Sequence, residues 1–405
     1  MRAVRAERFF DGEQFRRSGA TVLVAGGKVV GVEAFEFDLP QGCPVLSYGG
    51  TLLPGLIDAH THLVTDSGPM ALDRVAGYSA AEIETVMTQA LQDHLAAGVT
   101  TVRDLGDRGF SAVGRRDRQG SGGQVTEPDI LASGPPITSV GGHCHYLGGE
   151  AAGTEQIRRS IQDRVDRNVD VVKVMASGGA NTPGTDVMAT QFTDGELRLM
   201  VELTHEAGMP VTAHAHGTPA VEQAIAAGVD GIEHCSCVTD RGAGDVTDAT
   251  LAALARSQIA VCPTLGLDPA MTRTPPPQLL AMLSRMGLTL EQWVQARAEF
   301  AGRLHRAGVR LISGVDSGIN PAKRHGTLPR AVLDLQAAGL TIAQALATAT
   351  SVAAHALGLP GKGRIAAGRD ADLLIVSGDL ASDPEALLDP QAVFRAGHRI
   401  GDTLR

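Results

Sequence analysis

The sequence predicts an α/β protein: a TIM-type (β/α)8 barrel carrying a small β-sandwich module built from both chain ends. Three observations lead there. Strand-like and helix-like segments alternate regularly over about 300 residues, a pattern that favours a parallel α/β barrel. One join recurs, helix then Ala-Gly then strand, at Ala97-Gly98, Ala207-Gly208, Ala227-Gly228 and Ala307-Gly308. Strand-rich stretches occupy both ends of the chain.

The 405 residues accommodate one barrel of about 250 residues with an attachment. Near the start, Ala20-Thr21-Val22-Leu23-Val24 and Val29-Val30-Gly31-Val32 flank Gly26-Gly27, a hairpin signal. At the far end Ala371 to Val376 and Ala392 to Arg395 read as strands. Residues 1–54 and 359–405 are therefore assigned to the β module, and 55–358 to the barrel. Each Ala-Gly join supplies the left-handed residue that ends a helix. The apolar run after it is a strand buried on both faces. Helix starts are marked by Thr193-Asp194-Gly195-Glu196 and Thr341-Ile342-Ala343-Gln344, which fit the capping box. The eight strands are placed to end near Ala59, Asp104, Gly134, Met175, His214, His234, Thr264 and Ser313. An open, doubly wound sheet would share this periodicity; the residues at the strand ends favour the barrel.

A net charge of −10 argues against nucleic acid or an anionic membrane as partner. No apolar run reaches the ~18 residues of a membrane span, and no apolar segment follows the N-terminus as in a secretory signal. Five irregularly spaced cysteines do not describe a disulfide framework. The expected setting is cytoplasmic, with a small molecule as partner; the sequence is compatible with a homo-oligomer.

Metal-competent residues gather at strand ends. Strand 1 ends Asp58-Ala59-His60-Thr61-His62, and side chains two apart on an extended segment face the same way. His60 and His62 can therefore share one cation. Strand 5 gives His214-Ala215-His216, strand 6 gives Glu233-His234, and strand 8 runs on to Asp316. Strand 4 reads Val171-Val172-Lys173-Val174-Met175. Lysine is scarce, four against 31 arginines, so one embedded in valines needs a reason. Burial would favour its neutral form, which either joins a buried ion pair or reacts with carbon dioxide to give a carbamate. In a barrel, the carboxyl ends of the strands form the functional rim.

With these motifs the chain resembles the amidohydrolase superfamily over nearly its whole length. Pro54-Gly55-Leu56-Ile57-Asp58-Ala59-His60-Thr61-His62 matches the opening motif, and Gly363 to Leu373 the return to the β module. Lys173 with Ser177-Gly178-Gly179, and His214-Ala215-His216-Gly217, resemble the Xaa-Pro dipeptidase, ochratoxinase and imidazolonepropionase-like branch. The resemblance implies two divalent ions, with zinc expected. His60, His62 and Asp316 would hold the first, His214 and His234 the second, and carbamylated Lys173 would bridge them. Spacing alone leaves His214 and His216 equivalent; the resemblance favours His214, with His216 nearby as a substrate residue.

The implied activity is cleavage of an amide or peptide C–N bond by a hydroxide bridging the metals, with Asp316 as proton shuttle. Dipeptides, Xaa-Pro dipeptides and N-acyl amino acids are the expected substrates. Lactones, imidazolones and phosphotriesters would use the same metals, and loss of ligands would leave a non-catalytic scaffold; here all six positions are filled. Cys144 and Cys235-Ser236-Cys237 read as small buried thiols rather than a zinc site. His143 and Tyr146, in the loop after strand 3, are candidates to hold a substrate carboxylate. The stretch from Leu265 to Trp293, with Pro275-Pro276-Pro277, is long for a barrel loop and reads as a lid or a surface helix pair.

Overall fold

The computed structural model describes every residue except 17, 121–125, 272–274, 276 and 402–405. Eight parallel strands carry the middle of the chain. In order they are Leu56–Thr61, Val99–Asp104, Asp129–Ala132, Val172–Met175, Val211–Gly217, Gly231–Val238, Ala260–Cys262 and Arg310–Leu311. The first three form one parallel sheet and the last five another. The sheets meet on both sides. Ile137 bridges to Val174 and Thr61 to Ser317, both in parallel sense. Backbone bonds reinforce these seams: Ile137 N to Lys173 O at 2.8 Å, and His62 N to Ser317 O at 2.9 Å. This edge-to-edge arrangement is consistent with a TIM-type barrel.

Local chemistry explains the alternation. Gly98, Gly208, Gly228 and Gly308 all adopt positive φ, as required where a helix is stopped and the chain turned into the next strand. Thr193 and Glu196 form the reciprocal capping box, as do Thr341 and Gln344. Strand residues are buried on both faces; Val172 to Met175 has no exposed position.

Both ends of the chain enter one eight-stranded sheet. The strand Val45–Pro54 joins them, pairing in parallel with Arg2–Phe10 and antiparallel with Leu373–Val376. The predicted hairpin is present, Ala20–Ala25 against Lys28–Ala34. Phe9, Val22, Leu52, Ile375 and Phe394 fill its core. The pairing runs unbroken through these strands.

The long connection after the seventh strand contains two helices, Pro277–Met286 and Leu290–Arg306. Met282, Leu283 and Trp293 are buried there against Val187 and Val238. The expected surface helix pair thus forms part of the rim; Pro276 of the triple-proline run lies outside the described residues. Among the described residues no helix is long and apolar enough to cross a membrane.

Candidate metal centre

Five of the strands deliver polar side chains to one cavity at their carboxyl ends. His60, His62, Lys173, His214, His216, His234 and Asp316 all line it. His60 and His62 bring their Nε2 atoms to 3.4 and 3.2 Å from Asp316 Oδ1. Donor atoms of these three residues lie within 4.8 Å of one another, as do those of His214, His216 and His234. The two groups abut: the His60 and His234 ring centroids are 5.2 Å apart, and those of His214 and His234 4.5 Å.

Each ring is fixed by its other nitrogen. His60 Nδ1 donates to Glu233 Oε2 at 2.8 Å, and His62 Nδ1 to the Gly106 carbonyl at 3.0 Å. His234 Nδ1 meets Thr264 Oγ1 at 2.8 Å and His214 Nε2 the Gly178 carbonyl at 3.1 Å. One nitrogen per ring is thereby left toward the cavity, the usual way a protein orients a metal-binding imidazole. His216 is held likewise, its Nδ1 on Ser236 Oγ at 3.0 Å, and its ring stacks on His234 at 4.3 Å. The structure brings both His214 and His216 to the cavity, the pair that spacing could not separate.

The backbone is strained where these residues sit. His234, Thr264 and Asp316 have φ of 68°, 48° and 67°, a region that costs a non-glycine residue of order 1–3 kcal/mol and clusters at functional sites. Close approach does the rest. A Cβ on Gly314 would lie 2.7 Å from Cys262 Sγ and from His60 N, so only glycine lets the eighth strand pass the first.

Lys173 sits in the strand Val172–Met175, buried like its neighbours. It is 1% exposed, and its amine makes no hydrogen bond among the described residues. Burial pushes that amine below the ordinary lysine value, against the pull of Glu233 and Asp316. Burial would raise the Asp316 carboxyl, yet Lys323, His60 and His62 hold it well below the usual carboxylate range. The donor set fits divalent cations: imidazoles, those of His60, His214 and His234 kept neutral by burial, an ionised carboxylate and an amine open to modification. A third cluster, His60, Glu233 and Cys262, fits them poorly. Glu233 is already engaged by Arg103 and Thr212, and burial keeps the Cys262 thiol protonated.

His143 lines the cavity, its Nδ1 on Thr182 Oγ1 at 2.7 Å. Tyr146 is not among the lining residues; its hydroxyl turns to Cys144 Sγ at 3.7 Å. The cysteines Cys144, Cys235, Cys237 and Cys262 are buried and free, as expected. Sequence reasoning missed four residues. Glu233 and Arg103 interrupt apolar strands, the same signal that singled out Lys173. Lys323 is another of the four lysines and lies 3.7 Å from Asp316. Arg297, on a helix of a chain with 31 arginines, gave no signal at all. A larger cavity, about 760 Å³, lies by the start of the eighth strand and gathers none of these ligands.

The pattern of one family, described as "Amidohydrolase family", matches residues 51–400. The chain belongs to that family. This amidohydrolase is 25% identical to the ochratoxinase of Aspergillus niger over 95% of its own length and 82% of that protein. It is 29% identical to an imidazolonepropionase of Anaeromyxobacter sp. (strain K), over 88% and 84% of the two chains. In structure the amidohydrolase is similar to a Xaa-Pro dipeptidase with bound methionine in the active site. The TM-score is 0.84 at 23% identity, covering 98% of each chain. Hydrolases acting on C–N bonds are thus its relatives in sequence and fold.

Proposed function

We propose that this amidohydrolase is a binuclear metal-dependent hydrolase of an amide or peptide C–N bond. Its substrates would be of the dipeptide, Xaa-Pro or N-acyl amino acid type. The observation that carries the reading is Lys173, a buried amine without a hydrogen-bond partner among the described residues, beside two clusters of side chains that could bind cations. Reaction of its neutral nitrogen with carbon dioxide forms an N–C bond, releases one proton and leaves a carbamate with two oxygens. Those oxygens suit a bridge between a first ion on His60, His62 and Asp316 and a second on His214 and His234. Zinc suits such nitrogen and oxygen donors. When bound, divalent cations polarise a scissile carbonyl and acidify water near neutral pH.

The remaining roles fall to the chain itself. Asp316 accepts the proton of the attacking water at a carboxylate oxygen and returns it to the nitrogen of the departing amine. Lys323 keeps that carboxylate ionised before the transfer. His143 and His216, both in the cavity wall, hydrogen-bond the substrate, and Tyr146 supports His143 through Cys144. The helix pair 277–306 narrows access for water. In this reading residues 55–358 are a closed (β/α)8 barrel and 1–54 with 359–405 its attached β module.

A hydrolysis screen over dipeptides, N-acyl amino acids, lactones and phosphotriesters tests the proposal. Cleavage confined to C–N bonds supports it. Efficient turnover of lactones or phosphotriesters without amide cleavage would overturn it.

A further inference from the structure

The helix Leu290–Arg306 turns one face inward. Leu290, Trp293 and Val294 line the metal cavity, and Phe300, Ala301 and Leu304 continue that face into the core. The periodicity of an apolar face places residue 297 among them. Yet that position holds an arginine, and it too lines the cavity.

Arg297 is anchored but not neutralised. Its Nη2 donates to the Pro263 carbonyl at 2.5 Å and to Thr264 Oγ1 at 2.9 Å. Thr264 is the same residue that fixes His234, so the guanidinium is in register with the candidate metal ligands. Nε and Nη1 have no acceptor, and no carboxylate lies within 4.0 Å of the group, among the described residues. Burial pushes the guanidinium below its ordinary value, though an arginine does not give up its proton. Asp316 and Asp334 offset its charge only from a distance, and an incoming anion in contact with the guanidinium would offset the remaining cost of taking it from water.

Of the other basic groups of the cavity, Lys173 is assigned to the carbamate and Lys323 is already engaged. Lys323 donates to the carbonyls of Val315 at 2.8 Å and Thr264 at 3.1 Å, beside Asp316. His143 is held neutral by burial, at about 3, and offers no charge. Leu279, Met282, Trp293 and Val294 line the same cavity, the last two one helical turn from Arg297.

We propose that Arg297 binds a carboxylate of the substrate, in place of the loop around His143, and that the wall from Leu279 to Val294 holds an apolar side chain beside it. This rests on the amide-hydrolase reading and narrows it to N-acylated or N-terminally extended amino acids with large apolar side chains.

The test is calorimetric titration of the metal-loaded enzyme with two probes that it cannot hydrolyse. These are N-(benzenesulfonyl)-L-leucine and the corresponding leucinol, which lacks the carboxylate. Wild type should bind the acid about tenfold or more tighter, the scale of a charge-assisted hydrogen bond. Arg297→Met should bring the acid down to the affinity of the alcohol and leave the alcohol within about threefold of wild type. Arg297→Lys, which keeps the charge and a donor, should retain part of the preference. Equal binding of acid and alcohol by wild type, no binding of either, or a full preference surviving in Arg297→Met would overturn the assignment. Neither probe is turned over, so these results stand apart from the hydrolysis screen. A subsite that holds while amides go uncleaved condemns only the reaction.

Discussion

Glu233 Oε2 accepts a hydrogen bond from His60 Nδ1 at 2.8 Å, and its Oε1 is held by Arg103 at the same distance. A carboxylate from the sixth strand thus sets the tautomer of a histidine on the first. His60 Nε2 is left facing Asp316. Burial would raise the Glu233 carboxyl, but Arg103 and His60 keep it well below the usual range.

Glu233→Gln removes the charge on which both partners depend. Metal affinity should fall about 10- to 100-fold, as it does when partners of metal-binding histidines are lost. Arg103 would be left as a buried unpaired cation, a destabilisation of about 3–5 kcal/mol. Metal titration and denaturant unfolding of the variant measure the two effects. Unchanged values in both would show that Glu233 is a bystander.

Lys173→Ala removes the amine proposed to become a bridging carbamate. The variant should lose bound metal and nearly all activity, and a short carboxylic acid should restore part of each. A variant that keeps its metal and turnover would rule out the bridge.

Asp316→Asn separates binding from chemistry. The substitution leaves His60 and His62 in place but removes the proton acceptor. Turnover should drop by a factor of about 10² or more, the scale of general acid–base catalysis. KM should move far less. A fall in kcat/KM carried by KM alone would place Asp316 in binding.

How much of this was legible in the chain varies by residue. The glycines after each helix and the Thr-to-Glu and Thr-to-Gln caps act within a few residues, and sequence alone located them. His60, His62, Lys173, His214, His216, His234 and Asp316 stand out in the chain because they end or follow apolar strands, while the choice of His214 over His216 rests on the family resemblance. Arg103 and Glu233 break strands as well, but their meaning lies in a pairing across 130 positions. Tyr146 sits in the right loop, and its side-chain direction toward Cys144 follows from packing that no local pattern encodes. Arg297 is an ordinary helical arginine until the fold carries it over the cavity.

The pH dependence of stability offers another check. Burial raises the Asp58 carboxyl from 3.8 to about 7, despite bonds from His60 N, Val315 N and Ser317. The folded state therefore binds this proton more tightly than the unfolded chain. Its contribution is most favourable below the unfolded value of 3.8, declines as pH rises toward 7, and is level above that. Asn can keep the same acceptor and donate to Ser317, so Asp58→Asn should lift the penalty. In metal-free protein the variant should gain on wild type between about pH 4 and 7, by an amount on the order of a few kcal/mol. Parallel unfolding curves at all pH values would show that Asp58 does not titrate as described.

The central claim is that two divalent cations at His60, His62, Lys173, His214, His234 and Asp316 make the amide bond cleavable. Metal analysis of the purified protein, read beside amide hydrolysis before and after chelation, tests it most directly. The account predicts close to two divalent ions per chain, loss of hydrolysis when they are stripped, and its return when zinc is restored. Undiminished hydrolysis by metal-free protein would contradict it.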